Sequence, residues 1–356
     1  MTGPVQRMPV VVVGAGQAGL AAGHFLAEAE VPFAVLEAAD RLGESWRNRW
    51  DSLELFTPAR FSGLPGMAFP GELSRYPLKD EVVAFLRDYA ERFALPVRFG
   101  QRVTALSRSA DGYRLQTDGA VYQADAVIVA SGAFQRPNLP ACAADLVADV
   151  VQLHSSAYRN PAQLPAGTTL VVGGGNSGLQ IARELSADRP VHLAVGSRQT
   201  PLPRRFLGAD LFWWLDRLGI MRVPQARIPK WLAGDNDVLV GQSIGKLVRT
   251  CGVVERPRAT GAAGRTVTFA DGTTLEVANV VWATGYRPDY SWLQVPVLRD
   301  GRPVHTRGVT ASPGLYFLGL EKLHTSGSSL LGWVGNDARF VVFHLIHHTR
   351  SAAPAG

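Results

Sequence analysis

Two glycine-rich turns are the stretches of this sequence whose residue types and spacing indicate chemistry. In the first, Gly14, Gly16 and Gly19 have the spacing GxGxxG and directly follow the β-branched run of residues 10–13. This spacing predicts a tight turn, a backbone that can approach a pyrophosphate, and a helix whose N-terminal N–H groups bind the phosphates. The first turn therefore predicts a dinucleotide site.

A carboxylate follows the first turn at the distance that a ribose requires. Residues 18–29 are predicted to form a helix and residues 33–36 a buried strand that ends on Glu37, 23 residues after Gly14. An acid at this place accepts hydrogen bonds from a ribose 2′-OH group. The alternative, a targeting segment over residues 9–26, is disfavoured because no basic region precedes the stretch and glycines interrupt it.

The second turn repeats the first. Gly173, Gly175 and Gly178 again have the spacing GxGxxG, and Asn176 and Ser177 lie inside it. The apolar stretches around it predict another strand, helix and strand, at residues 170–172, 179–185 and 191–195. A second dinucleotide site is therefore expected in the same chain.

The two predicted sites differ where the ribose would lie. The strand of the second site continues into Ser197 and Arg198 without an acid, and Arg204 and Arg205 follow. A guanidinium at this edge suits a 2′-phosphate, which a carboxylate would repel. We therefore expect FAD at the first site and NADPH at the second. NADH use stays open, and so does the alternative that these arginines are only a solvated face.

The elements around the two turns form an internal repeat. Each strand–helix–strand unit is followed by a predicted β-meander, and the meanders end in similar sequences, VIVASGAFQRP at residues 127–137 and VVWATGYRP at residues 280–288. This repeat predicts an α/β protein with two Rossmann-like dinucleotide-binding domains, similar to the glutathione reductase-like FAD/NAD(P)-binding fold. We assign residues 1–155 and 286–356 to a discontinuous FAD-binding domain and residues 156–285 to an NAD(P)H-binding domain.

Three further stretches carry structural expectations. Asp80 is predicted to be the N-cap of a helix over residues 81–93. A C-terminal helix is expected to begin near Asn336 and Asp337, where its N-terminus could face the pyrimidine edge of a flavin or merely close the first domain. The aromatic stretch at residues 210–218 is interpreted as packing between the domains, with the lining of a substrate cleft as the alternative.

Composition excludes several classes of function. The hydrophobic and charged fractions, 46% and 19%, are ordinary for a globular protein, and no uninterrupted apolar run is long enough to span a membrane. The net charge of +6 comes from scattered basic residues, so we expect no nucleic-acid partner. Cys142 and Cys251 form no CxxC motif, which favours a cytoplasmic protein and excludes the paired-cysteine chemistry of disulfide reductases.

Several motifs, in their order along the chain, resemble those of the flavin-containing monooxygenases, in particular short bacterial flavoproteins similar to plant YUCCA-type enzymes. The motifs are GAGQAG, GESWRNRWDSLELFTP, HSSAY at residues 154–158, GGGNSG, ATGYRPDYSWL and LHTSGSSLLGWVGNDA. The resemblance implies that NADPH reduces FAD, that O₂ adds to the reduced flavin, and that a hydroperoxyflavin transfers one oxygen atom to a sulfur or nitrogen nucleophile or a carbonyl compound.

The resemblance also implies roles for residues outside the glycine turns. Trp46 and Arg47 would cover the FAD pyrophosphate and the approach to its ring, Thr57 and Pro58 would border the ring, and Asp337 would lie at the ribityl or pyrimidine end. His154 would have a conformational role near the link between the domains, or a structural one. Further cofactor contacts are expected at Gln17, Ala18, Val103, Gly132 and Gly285.

No catalytic side chain is predicted, because the flavin supplies the difficult chemistry and the protein supplies binding and orientation. Two other functions are left open: an NAD(P)H-dependent flavoprotein reductase of the flavin or ferredoxin type, and a flavin-binding regulator without turnover. The expected partners are O₂ and a small-molecule substrate, with a homodimer as a possibility.

Overall fold

The computed structural model describes residues 5–197, 199–228 and 238–352 and contains two main β-sheets, each with a glycine turn at one end of its central strand. The strands of these sheets are, in chain order, β1 (Val5–Val13), β2 (Phe33–Leu36), β3 (Val97–Arg98), β4 (Val103–Ser109), β5 (Gly112–Thr117), β6 (Val121–Val129), β7 (Val151–His154), β8 (Thr169–Val172), β9 (Val191–Ala194), β10 (Val254–Arg256), β11 (Asn279–Trp282) and β12 (Leu315–Phe317). The helices are α1 (Gln17–Glu28), α2 (Glu44–Arg47), α3 (Lys79–Arg92), α4 (Asn176–Leu185), α5 (Leu211–Arg217), α6 (Ile244–Cys251) and α7 (Leu331–Ala352).

The first sheet has the order β3-β2-β1-β6-β5-β4, and β12 pairs with β6. Strands β1, β2, β3, β6 and β12 are parallel, whereas β4 to β6 form the antiparallel meander. The β-branched run in β1 suits this central position because both faces of the strand are covered. Val10 and Val12 pack into one hydrophobic cluster, and Val11 and Val13 pack into another on the opposite face.

The second sheet has the order β10-β9-β8-β11-β7, and all of its pairings are parallel. The central strand β8 is buried on both faces, with Val171 in one cluster and Leu170 and Val172 in another. Strand β7 belongs to this sheet, although the predicted boundary at residue 155 assigns it to the first domain. The structure thus confirms the α/β fold class with two Rossmann-like units.

Short strands complete the fold and join the two sheets. Arg136–Pro137 and Tyr286–Arg287 pair antiparallel where the chain passes between the two units. The remaining short strands are Thr200–Leu202 with Val238–Val240, Arg205–Phe206 with Ala209–Asp210, the meander Ala259–Ala263, Thr266–Phe269 and Thr274–Glu276, and Leu298–Arg299 with Arg302–Pro303.

Two helix starts differ from the sequence expectation. Helix α3 begins at Lys79, so Asp80 lies inside its first turn and is not the N-cap; the Leu78 N–H instead donates to the Glu81 carboxylate at 2.8 Å. Helix α7 begins at Leu331, five residues before the expected start. Gly332 and Gly335 lie within the helix, and a Cβ on Gly332 would lie 2.4 Å from the Phe61 carbonyl oxygen. Close packing against another segment therefore explains these glycines.

Among the described residues, no helix has the length and apolarity needed to cross a membrane.

Candidate functional site

The first glycine turn has the geometry of a phosphate cradle. Gly14 has a φ of +102°, which disfavours other residues, and its N–H donates to the Leu36 carbonyl at 2.8 Å. A Cβ on Gly19 would lie only 1.8 Å from the Gly14 carbonyl oxygen, so this glycine lets α1 approach the turn. A Cβ on Gly16 would meet no atom within 4 Å, which leaves the space in front of the helix N-terminus open. The open face is where a pyrophosphate fits.

Glu37 lies beside this turn, where the sequence predicts a ribose contact. Its carboxylate accepts the Ala15 N–H at 2.8 Å and the Ala39 N–H at 3.0 Å, and the side chain stays partly exposed. These two bonds hold the carboxylate beside the turn, with acceptor capacity left for ribose hydroxyls. Gln17, at the start of α1, donates its side-chain amide to the Ser329 carbonyl at 2.6 Å, and Ala18 is buried behind it.

The second turn repeats this geometry around β8 and α4. Gly173 has a φ of +126° and donates to the Ala194 carbonyl at 2.9 Å, and a Cβ on Gly178 would lie 1.9 Å from the Gly173 carbonyl oxygen. Gly175 again faces open space. The strand register makes Val195 the counterpart of Glu37, and its side chain packs against Gly174. The second cradle therefore has an apolar side chain where the first has a carboxylate.

Buried polar atoms without partners test whether these cradles fit cofactors. Within the described residues, Arg47 Nε is a buried donor without an acceptor, and the side-chain oxygens of Asn176, Gln199 and Gln242 are buried acceptors without a donor. Buried polar groups are normally paired, so an unpartnered atom beside a cradle is free to bond a ligand. Trp50 Nε1, Ser109 Oγ, Arg204 Nε and Asn279 Oδ1 are also buried without a partner. Arg47 follows the first cradle and Asn176 lies inside the second, so an FAD phosphate oxygen would suit the former and cofactor hydroxyl or amide groups the latter.

The other residues proposed for FAD lie at the boundary between the two units or behind the first cradle. Trp46 is half buried and packs against hydrophobic clusters of both units. Thr57 is buried, with its hydroxyl 3.1 Å from that of Ser62, and Pro58 is buried beside it. Val103 begins β4 and packs, half buried, against the hydrophobic cluster on one face of the first sheet.

Asp337 does not lie at a helix N-terminus. Because α7 begins at Leu331, Asp337 lies in its second turn, where it is only 2% exposed and pairs with Arg307 at 3.0 Å. Its expected place at the helix start is therefore wrong, and a contact with the flavin now depends on the position of the Arg307–Asp337 pair. A contact between Asp337 and FAD stays a prediction.

The residues proposed for NADPH have separate environments. Ser197 lines a cavity of about 510 Å³ beyond the end of β9, and Arg198 lies outside the described residues. Arg204 forms an ion pair with Glu54 and lies over the Tyr76 ring at 4.1 Å, whereas its Nε is buried without an acceptor. Arg205 is exposed and donates to the Gly208 carbonyl at 2.6 Å.

The chain passes between the two units at two segments, near residues 136 and 286, and the buried His154 contacts the second of them. Gly132 and Gly285 both have positive φ and face open space. His154 accepts the Ser156 N–H at Nδ1 over 3.2 Å, so its Nε2–H donates to the Gly285 carbonyl at 2.9 Å. Burial lowers the pKa of His154, which keeps the ring neutral and suits this pairing. This geometry agrees with a structural or conformational role at the link.

Sequence reasoning missed Arg49, which lies at the same crossing. Its guanidinium lies 4.5 Å from the Phe134 ring and 5.0 Å from the Tyr286 ring and donates to the Tyr286 hydroxyl at 2.5 Å. The side chain is 8% exposed, and burial lowers its pKa. Its partners are distant in sequence, so no local spacing could have indicated this contact.

Comparison with known proteins identifies the family. A family model described as pyridine nucleotide-disulphide oxidoreductase matches residues 11–202. The uncharacterized oxidoreductase CzcO-like of Geobacillus kaustophilus is 42% identical over 95% of this chain and 98% of its own length. Indole-3-pyruvate monooxygenase YUCCA1 of Oryza sativa subsp. japonica is 31% identical over 90% of this chain and 88% of its own. The solved flavin-containing monooxygenase of Stenotrophomonas maltophilia superimposes with a TM-score of 0.82 at 29% identity, over 97% of this chain and 99% of that one.

This chain belongs to the flavin-containing monooxygenase family. The flavin-containing monooxygenases are NAD(P)H-dependent flavoprotein oxidoreductases, so the expected enzyme class is confirmed. Membership in this family implies the general use of FAD and NADPH. The matching model is described by disulphide chemistry, yet the only two cysteines of this chain, Cys142 and Cys251, form no CxxC motif.

Proposed function

We propose that this protein is an FAD-dependent, NADPH-using monooxygenase that transfers one oxygen atom of O₂ to a small molecule with a soft sulfur or nitrogen nucleophile or a carbonyl group. The observation that carries the proposal is the pair of unlike cradles in one chain, one ending on the carboxylate of Glu37 and the other on the apolar Val195. An acid-tipped cradle suits the unphosphorylated ribose of FAD, and the other tolerates a 2′-phosphate. The absence of a CxxC motif disfavours disulfide reduction.

When bound, FAD would take a hydride from NADPH and activate O₂. The chain's own residues bind and orient the two cofactors. Gly14, Gly16 and Gly19 would admit the FAD pyrophosphate, and Arg47 would donate to one of its oxygens through the unpartnered Nε. At the second cradle, Gly175 would leave room for the phosphates of the nicotinamide nucleotide, and the unpartnered side-chain oxygen of Asn176 would accept a hydrogen bond from it. No acid–base pair is required of the protein, because a soft nucleophile needs no deprotonation before it accepts oxygen.

An aromatic cluster between the two units supports a further task, the exclusion of water. Phe212 of α5 is 4% exposed and packs against Phe56 and Trp333, at ring-centre distances of 6.0 and 5.8 Å. Phe56 and Trp333 belong to the first unit, and α5 follows the second cradle. The cluster therefore spans both units, as the interdomain interpretation of residues 210–218 expects. A dry site limits the wasteful loss of activated oxygen to water.

The test is the balance between NADPH, peroxide and product. The FAD-loaded protein would receive NADPH and isotopically labelled O₂, with methyl phenyl sulfide, a tertiary amine or a ketone as the substrate. A monooxygenase predicts an oxygenated product that carries the label and accounts for part of the NADPH consumed. Peroxide release equal to NADPH loss with every substrate would support the alternative, a flavoprotein reductase that does not insert oxygen.

A further inference from the structure

A cavity of about 510 Å³ opens at the carboxyl ends of the neighbouring parallel strands β9 and β10. It is lined by Val195, Gly196, Ser197, Glu255, Arg256 and Pro257. In an α/β sheet, ligands bind at the carboxyl ends of the strands, and the edge beyond the second strand of a dinucleotide unit receives the adenosine ribose. The cavity thus lies where the adenosine ribose of the nicotinamide nucleotide would bind. Residues of β10 and the residue that follows it form half of the cavity lining.

The strand register shows what is missing from this edge. Val13 pairs with Leu36 in the first unit and Val172 pairs with Ala194 in the second, so Glu37 and Val195 follow at equivalent positions. Glu37 would accept both hydroxyls of an unmodified ribose. Val195 cannot accept a hydrogen bond and adds no negative charge. A preference for NADPH over NADH at the second site would therefore require another side chain.

Arg258, two residues beyond β10, lies against the backbone at this edge. Its guanidinium donates to the Gly196 carbonyl at 2.7 Å, and a Cβ on Gly196 would lie only 3.1 Å from Arg258 Cζ. The glycine thus lets the guanidinium lie against the backbone at the rim of the cavity. The Arg258 side chain is exposed, and among the described residues no carboxylate lies within 4.0 Å of it.

The other charged groups of the cavity leave room for an anion. Arg256 donates to His192 Nδ1 at 3.2 Å and lies 5.8 Å from the Phe269 ring. Glu255 is the one acid in the cavity lining, and it is exposed to solvent. The described lining thus has one carboxylate, that of Glu255, and one guanidinium, that of Arg256, and the Arg258 guanidinium is bonded to the lining residue Gly196. The Ser197 hydroxyl is a further donor on the same rim.

We propose that Arg258, together with Ser197, recognises the 2′-phosphate of NADPH and makes the second site prefer NADPH to NADH. The inference rests on the proposed function. It assigns the specificity to a residue just beyond β10, about eighty residues after the second glycine turn. A guanidinium is suited to this task because its planar array of N–H groups forms two parallel bonds with phosphate oxygens. Arg204, by contrast, has Glu54 as an ion-pair partner.

The test measures binding to the FAD-loaded protein by calorimetry, with 2′,5′-ADP and 5′-AMP as probes that differ only in the 2′-phosphate. We expect wild type to bind 2′,5′-ADP more tightly, and Arg258→Gln to weaken that binding about tenfold or more while 5′-AMP binding is unchanged. Arg258→Lys would restore part of the loss. Arg265→Gln is the matched control, because Arg265 is an exposed arginine of the same unit that pairs with Asp149.

The outcomes separate this inference from the proposed function. Equal affinity of wild type for the two probes, or an Arg258→Gln loss that is the same for both, would overturn the role of Arg258. Binding of neither probe would contradict the nicotinamide nucleotide site itself. A second variant, Val195→Glu, copies the first cradle and is expected to weaken 2′,5′-ADP binding; its melting temperature reports whether it folds.

Discussion

At the scale of single residues, local spacing was enough where the chemistry is local. Gly14, Gly16, Gly19 and Glu37 lie within one strand–helix–strand unit, and all of them take the positions that GxGxxG and its following acid predict. Residues with distant partners could not be read in this way. Arg204 meets Glu54, 150 residues away, so its pairing depends on how the two units pack.

Alanine at Gly19 and alanine at Gly16 should both reduce FAD binding, but for different structural reasons. Gly19→Ala places a Cβ 1.8 Å from the Gly14 carbonyl oxygen, so we expect a lower melting temperature and loss of FAD. Gly16→Ala meets no protein atom within 4 Å, so the fold should persist while the methyl group obstructs the pyrophosphate. Melting curves and retained flavin distinguish the two. Equal stability losses in both variants would contradict the cradle geometry.

Glu37 should matter for FAD more than for the fold. Glu37→Gln keeps the shape of the side chain but removes one acceptor and the charge, so we expect FAD affinity to fall about tenfold or more. Equilibrium dialysis with the visible absorbance of the flavin measures it. Glu28→Gln is the control because Glu28 is exposed at the end of α1. Unchanged FAD affinity in Glu37→Gln would place the ribose elsewhere.

At the scale of elements, periodic and β-branched patterns predicted the strands beside the two glycine turns and α1. They did not predict β7 and β10, and the starts of α3 and α7 were also missed. Helix α7 begins at Leu331, and its glycines Gly332 and Gly335 pack closely against Phe61 and Pro65. Glycine at these positions allows a close contact and does not mark a loop. Helix propensity alone disfavours glycine in a helix interior. A sequence without its packing partners therefore places this helix too late, and Asp337 with it.

Replacing a helical glycine by alanine should have opposite effects on stability in α7 and in α6, because only the glycine in α7 contacts another backbone segment. Gly332→Ala would put a Cβ 2.4 Å from the Phe61 carbonyl oxygen and should lower the free energy of unfolding by about 1–3 kcal/mol. Gly245→Ala in α6 meets only the mobile end of Arg249, at 3.3 Å, and should raise it by about 0.5–1 kcal/mol. Chemical denaturation measures both. A stabilising Gly332→Ala would refute the close contact.

At the scale of the whole molecule, the sequence repeat predicted two units but not how they interlock. Trp50 and Leu53 come from the chain that follows the first cradle, yet both pack into a hydrophobic cluster of the second unit. Gln180 of α4 exchanges hydrogen bonds with the backbone N–H and carbonyl of Glu54. These contacts join segments more than a hundred residues apart, and neither composition nor periodicity describes them.

Buried and partly buried histidines make the stability of the whole protein depend on pH. Burial lowers the pKa values of His24, His154, His192 and His305 below the usual 6.5. Below about pH 6.5 the unfolded chain therefore binds protons that the folded protein does not, and stability falls as the pH falls. We expect the melting temperature to decrease from pH 7.5 to pH 5.5. A constant or rising melting temperature would contradict this burial.

The central claim is that one chain holds FAD in the acid-tipped cradle and a nicotinamide nucleotide in the other. The most direct test is the visible spectrum of the protein after FAD reconstitution and gel filtration, before and after NADPH is added without oxygen. We predict about one flavin retained per chain, bleached by NADPH and recovered on admission of air. Protein that keeps no flavin, or flavin that neither NADPH nor NADH bleaches, would contradict the account.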